Sequence, residues 1–141
     1  MVNRVPTFAA LLSALLIAGA GCGSCHDRTN SDVVRNGGVV VRRFALVRDV
    51  EMVRVRHLGK VMLVNGEELG TNDEPLGVVA AGTRLAVTRV ERCSYPPGVT
   101  TDFTIARVDG GPFAGTSVVT NRIGLNYRGL PAKDVATLVA P

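Results

Sequence analysis

Glu51-Met-Val-Arg-Val-Arg-His57 alternates apolar and charged side chains almost step by step. Val53 and Val55 fall on one side and Arg54 and Arg56 on the other, the two-residue period of a half-exposed strand. Upstream, Val39-Val-Val-Arg-Arg-Phe-Ala-Leu-Val47 reads as a long first strand. Downstream, Val61-Met-Leu-Val64 runs through Asn65-Gly66 into Glu67-Glu-Leu69. Asn-Gly suits the positive φ angles of a type I′ turn, so residues 61–69 read as a hairpin.

The same pattern continues to the end of the chain. Turn residues fill 70–75, and Gly77-Val-Val-Ala-Ala81 leads through Gly82 into a strand over 83–92. There Leu85 and Val87 share a face while Val90 falls out of step, which predicts a β-bulge near Arg89. Ser94-Tyr-Pro-Pro-Gly98 reads as loop, because two prolines cannot donate to a ladder. A strand over 101–108 points Phe103 and Ile105 inward, and further strands are expected over 116–120 and 135–139, with a loop at 128–134. Short β-rich runs separated by turn signals predict an all-β fold. The expectation is a small barrel or sandwich of short antiparallel strands, forming a single β-rich domain over 37–141. Arg107-Val-Asp-Gly-Gly-Pro-Phe-Ala-Gly-Thr116 resembles the glycine-centred turn of small SH3-like barrels, including the KOW type. That resemblance implies the barrel form.

With 141 residues, 46% of them apolar and 20% charged, the chain suits one domain with a modest aliphatic core. It does not suit a disordered polyampholyte or a multi-pass membrane protein. Sixteen basic residues face twelve acidic ones. The arginines are dispersed, only Arg42 and Arg43 being adjacent among those of the body, so no concentrated basic stripe for nucleic acid is present. An Arg-rich solvated sheet face is expected instead.

The N-terminal segment has a basic start at Arg4 and an uncharged run of eleven residues over 8–18. That length is short for a membrane-spanning helix, which needs about 20 apolar residues, and fits the core of a secretory signal peptide. Ala18-Gly19-Ala20-Gly21-Cys22 resembles a bacterial lipoprotein signal, with small residues directly before the cysteine. The resemblance spans residues 1–22. It implies a signal peptide over 1–21, acylation of Cys22 and a membrane-anchored lipoprotein of the cell envelope. Gly23 rather than Asp follows Cys22, which in that family implies the outer membrane or periplasmic face. Residues 22–36 are polar and aperiodic and read as a flexible tether.

The same cysteine belongs to a second motif. Cys22-Gly23-Ser24-Cys25-His26 fits C-x-x-C-H, in which two thiols bind the haem vinyl groups and the histidine ligates iron. This alternative makes the protein an electron-transfer carrier of haem c, although no local motif marks a second axial ligand among Met52, Met62 and His57. It competes with acylation for Cys22, and the strand-rich body does not resemble a small cytochrome. With Cys22 acylated, Cys25 and Cys93 remain in an oxidising compartment and could pair.

No catalytic constellation stands out. His57 reads as an exposed strand-end residue rather than a base for Cys93, because no motif fixes a partner. Glu67, Glu68, Asp73 and Glu74 lack the spacing of a calcium loop and read as solvated turns. Gly110-Gly111 lacks either phosphate-loop pattern, and no second Cys/His pair provides zinc spacing. The expected protein is a non-catalytic binding or structural module without cofactor or metal. It would be held to a membrane by its lipid and would meet an envelope protein or polysaccharide through loops 94–100 and 109–116.

Overall fold

The structure, a computed structural model, describes residues 23–66, 69–70 and 73–140. The signal peptide expected at 1–21, Cys22, Glu67 and Glu68 lie outside the described residues. The strands are β1 (Ser24–Asp27), β2 (Arg43–Leu46), β3 (Val50–Val55), β4 (Lys60–Val64), β5 (Asp73–Val79), β6 (Arg84–Tyr95), β7 (Val99–Asp109), β8 (Ser117–Val119) and β9 (Ala136–Leu138). One six-residue helix, α1 (Asp32–Gly37), follows β1. The strands form one sheet in the order β5-β3-β4-β8-β7-β6-β2-β9, and β1 pairs with β6. The all-β expectation holds. Among the described residues β5 and β9 end the sheet without pairing to each other, so the barrel is not closed and the fold is that of a small sandwich.

Both faces of the central strands are buried, at different ends. Val50 and Met52 of β3 join a large cluster with Leu63, Leu85, Val87, Ala106 and Val118. Val53 and Val55 of the same strand join a second cluster with Met62, Cys93, Phe103, Ile105 and Val119. Two register shifts accompany this exchange of faces, one in the β3–β5 ladder between Met52 and Val53 and one in β6 between Val87 and Arg89. The β6 shift is the bulge that Val90 announced. A bulge adds a residue on one strand and turns the following side chains, which explains why Val90 is buried despite being out of step.

Three expectations need correction. Of the hairpin over 61–69, Glu67 and Glu68 lie outside the described residues; among those described, Leu69 is in no strand and the next strand, β5, pairs with β3 on the side away from β4. The Asn65-Gly66 turn signal is local, whereas β3 presents a whole edge to β5. The first strand is shorter than 39–47, because Val41 has φ +64° and interrupts the extended backbone ahead of β2. The predicted loop at 94–98 is narrower: Ser94 and Tyr95 close β6, and Pro96, Pro97 and Gly98 form the turn.

The fourth difference concerns the leader. Residues 22–36 were expected as a flexible tether, yet from Ser24 onward the segment belongs to the fold. β1 pairs in register with β6, from Ser24 opposite Ser94 to Asp27 opposite Glu91. The Arg28 amide donates to the Val90 carbonyl at 2.8 Å, and the Val90 amide donates to Thr29 Oγ1 at 3.2 Å. Val34 of α1 is buried against Val90 and Tyr127. Glycine is required at both ends of this segment, since a Cβ at Gly23 would collide with the Ser94 carbonyl and one at Gly37 with the Tyr127 carbonyl. Among the described residues, no helix is long and apolar enough to cross a membrane.

Candidate functional site

β1 carries four exposed residues and no apolar face, so burial does not hold it. Cys25 does, through a disulfide to its register partner Cys93, which is fully buried on β6. Directly opposed positions on antiparallel strands bring Cβ atoms close enough for this bond. Disulfides persist in oxidising compartments, and the bond therefore points to an exported chain. The sequence left open whether Cys25 and Cys93 pair; in the structure they do.

The bond also bears on the other chemistries. The Cys25 sulfur bonded to Cys93 is not available for a haem thioether, and His26 lies exposed opposite Arg92. Met52 and Met62 are core residues of separate clusters. His57 sits exposed on the 3₁₀ turn Arg56–Leu58, and Cys93 offers it no free thiol. Cys25, Cys93 and Glu91 lie close together, but the sulfurs are joined. The Glu91 carboxylate accepts from Lys60 Nζ at 2.7 Å and Arg89 Nε at 2.8 Å. Burial raises its pKa, and the two hydrogen-bonded cations outweigh that and hold it below the ordinary value. Asp73 and Glu74, expected in a turn, instead begin β5 opposite Val55 and Arg54 of β3; Glu74 faces Arg54 at 3.2 Å and Asp73 accepts from the Gly70 amide at 2.9 Å. The expected loop surface at 109–116 is pinned, because Phe113 packs over Gly77, where a Cβ would come within 2.5 Å of the ring.

The most organised polar site lies on β6 and β7 beside the disulfide. Asp102 is centred there, with four donors on its two oxygens. Arg92 donates from Nε to Oδ1 at 2.8 Å and from Nη2 to Oδ2 at 3.0 Å. Arg28 Nη1 reaches Oδ2 at 3.2 Å, and the Tyr127 hydroxyl reaches it at 3.0 Å. The Arg92 hydrogen bond is the largest influence on Asp102; burial opposes it, and Tyr127 and the two guanidinium charges add to it. Its pKa falls to about 2. A carboxylate so held stays ionised at neutral pH and accepts hydrogen bonds, which suits it to positioning and not to general acid chemistry.

Behind it the scaffold is closely bonded. The Tyr127 amide donates to the buried Thr104 hydroxyl at 3.0 Å, and Asn121 Oδ1 accepts from the Thr104 amide at 2.8 Å. Asn121 Nδ2 then donates to the Asp102 carbonyl at 3.1 Å. In front is an open cleft of about 680 Å³, lined by Arg92, Thr100, Thr101, Asn126, Tyr127 and Arg128 together with Asp102 and Asn121. Arg128 lies with its guanidinium 5.7 Å from the Tyr127 ring centre and, among the described residues, in no ion pair. Among the described residues, Arg92 and Arg128 in the lining and Arg28 on Asp102 set three guanidiniums against one carboxylate, two positive charges in excess. Such a site attracts an anion. A second depression of about 900 Å³ lies at the other end of β6, where Arg42, Arg43 and Arg84 flank Val41 and Leu138.

Sequence reasoning missed the cleft. Its residues come from the leader, β6, β7 and the segment at 121–128, and no local spacing links them. Compared with models of protein families, with curated proteins and with solved structures, the chain matches none.

Proposed function

We propose that this protein is an exported lipoprotein of the bacterial cell envelope, anchored by acylated Cys22, whose small β domain is a non-catalytic binding or structural module. The Cys25–Cys93 disulfide carries the export half of this reading, since such a bond is kept in oxidising surroundings. The resemblance of residues 1–22 to a lipoprotein signal supports the anchor. Two or more acyl chains hold a protein stably at a bilayer, each buried CH₂ contributing about 0.8 kcal/mol. The Asp102 cleft is the recognition feature, and its saturated carboxylate favours binding over proton transfer.

Intact-mass measurement of the protein extracted from membranes tests this directly. Acyl chains on the fragment beginning at Cys22 are expected, with no mass for haem and no visible absorption band. Cys22→Ser is expected to move the protein into the soluble fraction. A bare Cys22, or a porphyrin bonded to it, overturns the reading.

A further inference from the structure

An anchored protein with a long tether can turn any face to the membrane. This one has almost no tether. Only Gly23 separates Cys22 from β1, and two extended residues span about 7 Å. Gly23 lies against Ser94 and Tyr95 with no room for a Cβ, and two residues later the chain is covalently joined to Cys93. Acyl chains on Cys22 therefore place the β6–β7 end of the sheet at the bilayer.

The surface at that end has the chemistry for it. Pro96 and Pro97 are exposed at the turn, and Val99 is 58% exposed. Beside them opens the Asp102 cleft. In the β6–β7 register Thr100 faces Ser94 and Asp102 faces Arg92, so the cleft begins within about 7 Å of strand from the residue that Gly23 touches. Arg128 stands over it without a carboxylate partner among the described residues. By contrast the groove at Arg84 is ten β6 positions from Ser94, about 33 Å of strand.

Resting on the lipoprotein reading, we infer that the cleft formed by Arg92, Thr100, Thr101 and Arg128 takes the phosphate of an anionic lipid headgroup in the bilayer that holds the anchor. The Pro96-Pro97-Gly98-Val99 turn lies in the interface beside it. Arg92 is already oriented by Asp102, and Arg128 supplies a second guanidinium for the phosphate oxygens. The domain thus sits in one orientation on the membrane, with the Arg42, Arg43 and Arg84 groove turned away from it.

The test uses the Cys22→Ser chain with its signal removed, so that acylation plays no part. Its partition onto vesicles of phosphatidylcholine with 30 mole per cent phosphatidylglycerol, a composition of about one anionic lipid in three, is compared with pure phosphatidylcholine. Preferential binding to the anionic vesicles is expected. Arg128→Gln should weaken it about fivefold, the effect of one cation near such a surface, while Arg84→Glu changes it less than twofold, lying several Debye lengths away. Circular dichroism and a thermal melt confirm that both variants are folded. Equal losses in the two variants, or no preference for anionic vesicles, overturn the inference while leaving the anchor standing. Saturable binding of free glycerol phosphate without vesicle binding assigns the cleft to a soluble phosphate ester and overturns it too. Bare Cys22 in the native protein removes the anchor, and with it the reason for this end to face a bilayer.

Discussion

The Arg92 guanidinium holds the Asp102 carboxylate with two hydrogen bonds, Nε to Oδ1 at 2.8 Å and Nη2 to Oδ2 at 3.0 Å, across directly paired positions of β6 and β7. Arg28 adds a third donor from the segment after β1, and Tyr127 a fourth from beyond β8. One carboxylate thus joins the leader, the central hairpin and the C-terminal segment.

This gives the fold a specific sensitivity to acid. The Asp102 pKa is depressed from the ordinary 3.8 to about 2. A depressed carboxylate contributes stability that is complete above the unfolded pKa and is lost as pH falls through the folded one. The window is therefore pH 4 down to about 2, and the contribution is about 2 kcal/mol. Urea midpoints measured at pH 7 and across this window should show the decline. Asp102→Asn should be less stable at pH 7 by about 2–3 kcal/mol and show a shallower acid decline, other carboxylates supplying what remains. An unchanged slope in that variant removes Asp102 from the account.

Gly37 is set by contact and not by turn geometry. A Cβ there meets the Tyr127 carbonyl, which lies on the segment that presents Tyr127 to Asp102. Gly37→Ala should lower stability by about 1–3 kcal/mol, the usual range for overpacking against backbone. It should also weaken the Tyr127–Asp102 bond. The melting temperature measures the first effect, and the near-ultraviolet circular dichroism of the tyrosines the second. Gly38→Ala provides the contrast: nothing lies near its Cβ, and only its left-handed φ of +67° is strained.

Val41 is the reverse case, a residue whose replacement by glycine should help. It is β-branched, 88% exposed and held at φ +64°. A left-handed conformation costs a non-glycine residue about 1–2 kcal/mol, and so exposed a side chain loses little packing when removed. Val41→Gly is therefore expected to raise the melting temperature, or to leave it unchanged where the added unfolded-state entropy offsets the relief. A clear drop would show that the isopropyl group is held by contacts in the groove with Leu138.

The strands were legible where a short period met a buried face. Val53 with Val55, and Phe103 with Ile105, point inward as their spacing implied, and Val90 marked the β6 bulge by falling out of step. Pairing was less legible. Asn65-Gly66 describes a turn but not which edge the next strand finds, and β5 found β3. The leader was illegible because its order comes from partners far along the chain: backbone bonds to β6, Val34 against Val90 and Tyr127, and a bond between cysteines 68 residues apart. The cleft failed for the same reason, Arg28 and Asp102 being 74 positions apart.

The disulfide should decide whether the leader behaves as strand or as tether. Closing a loop of 68 residues removes unfolded-state entropy amounting to about 4 kcal/mol in the chain-entropy model, with about 2–4 kcal/mol commonly realised. β1 buries no side chain, so without the bond the segment keeps its four-residue ladder, the Arg28 and Thr29 hydrogen bonds to Val90 and the Arg28–Asp102 contact. Breaking the bond with dithiothreitol, or by Cys25→Ser with Cys93→Ala, should therefore act in two places. Global stability in urea should fall by about 2–4 kcal/mol. Amide exchange should quicken selectively at residues 24–29, while β6 and β7, which pair over eleven positions, stay protected. Protection that persists at 24–29 after reduction would mean that backbone pairing alone fixes the segment next to Cys22. Loss at both places together would mean that β1 is part of the cooperative core and not an appended strand.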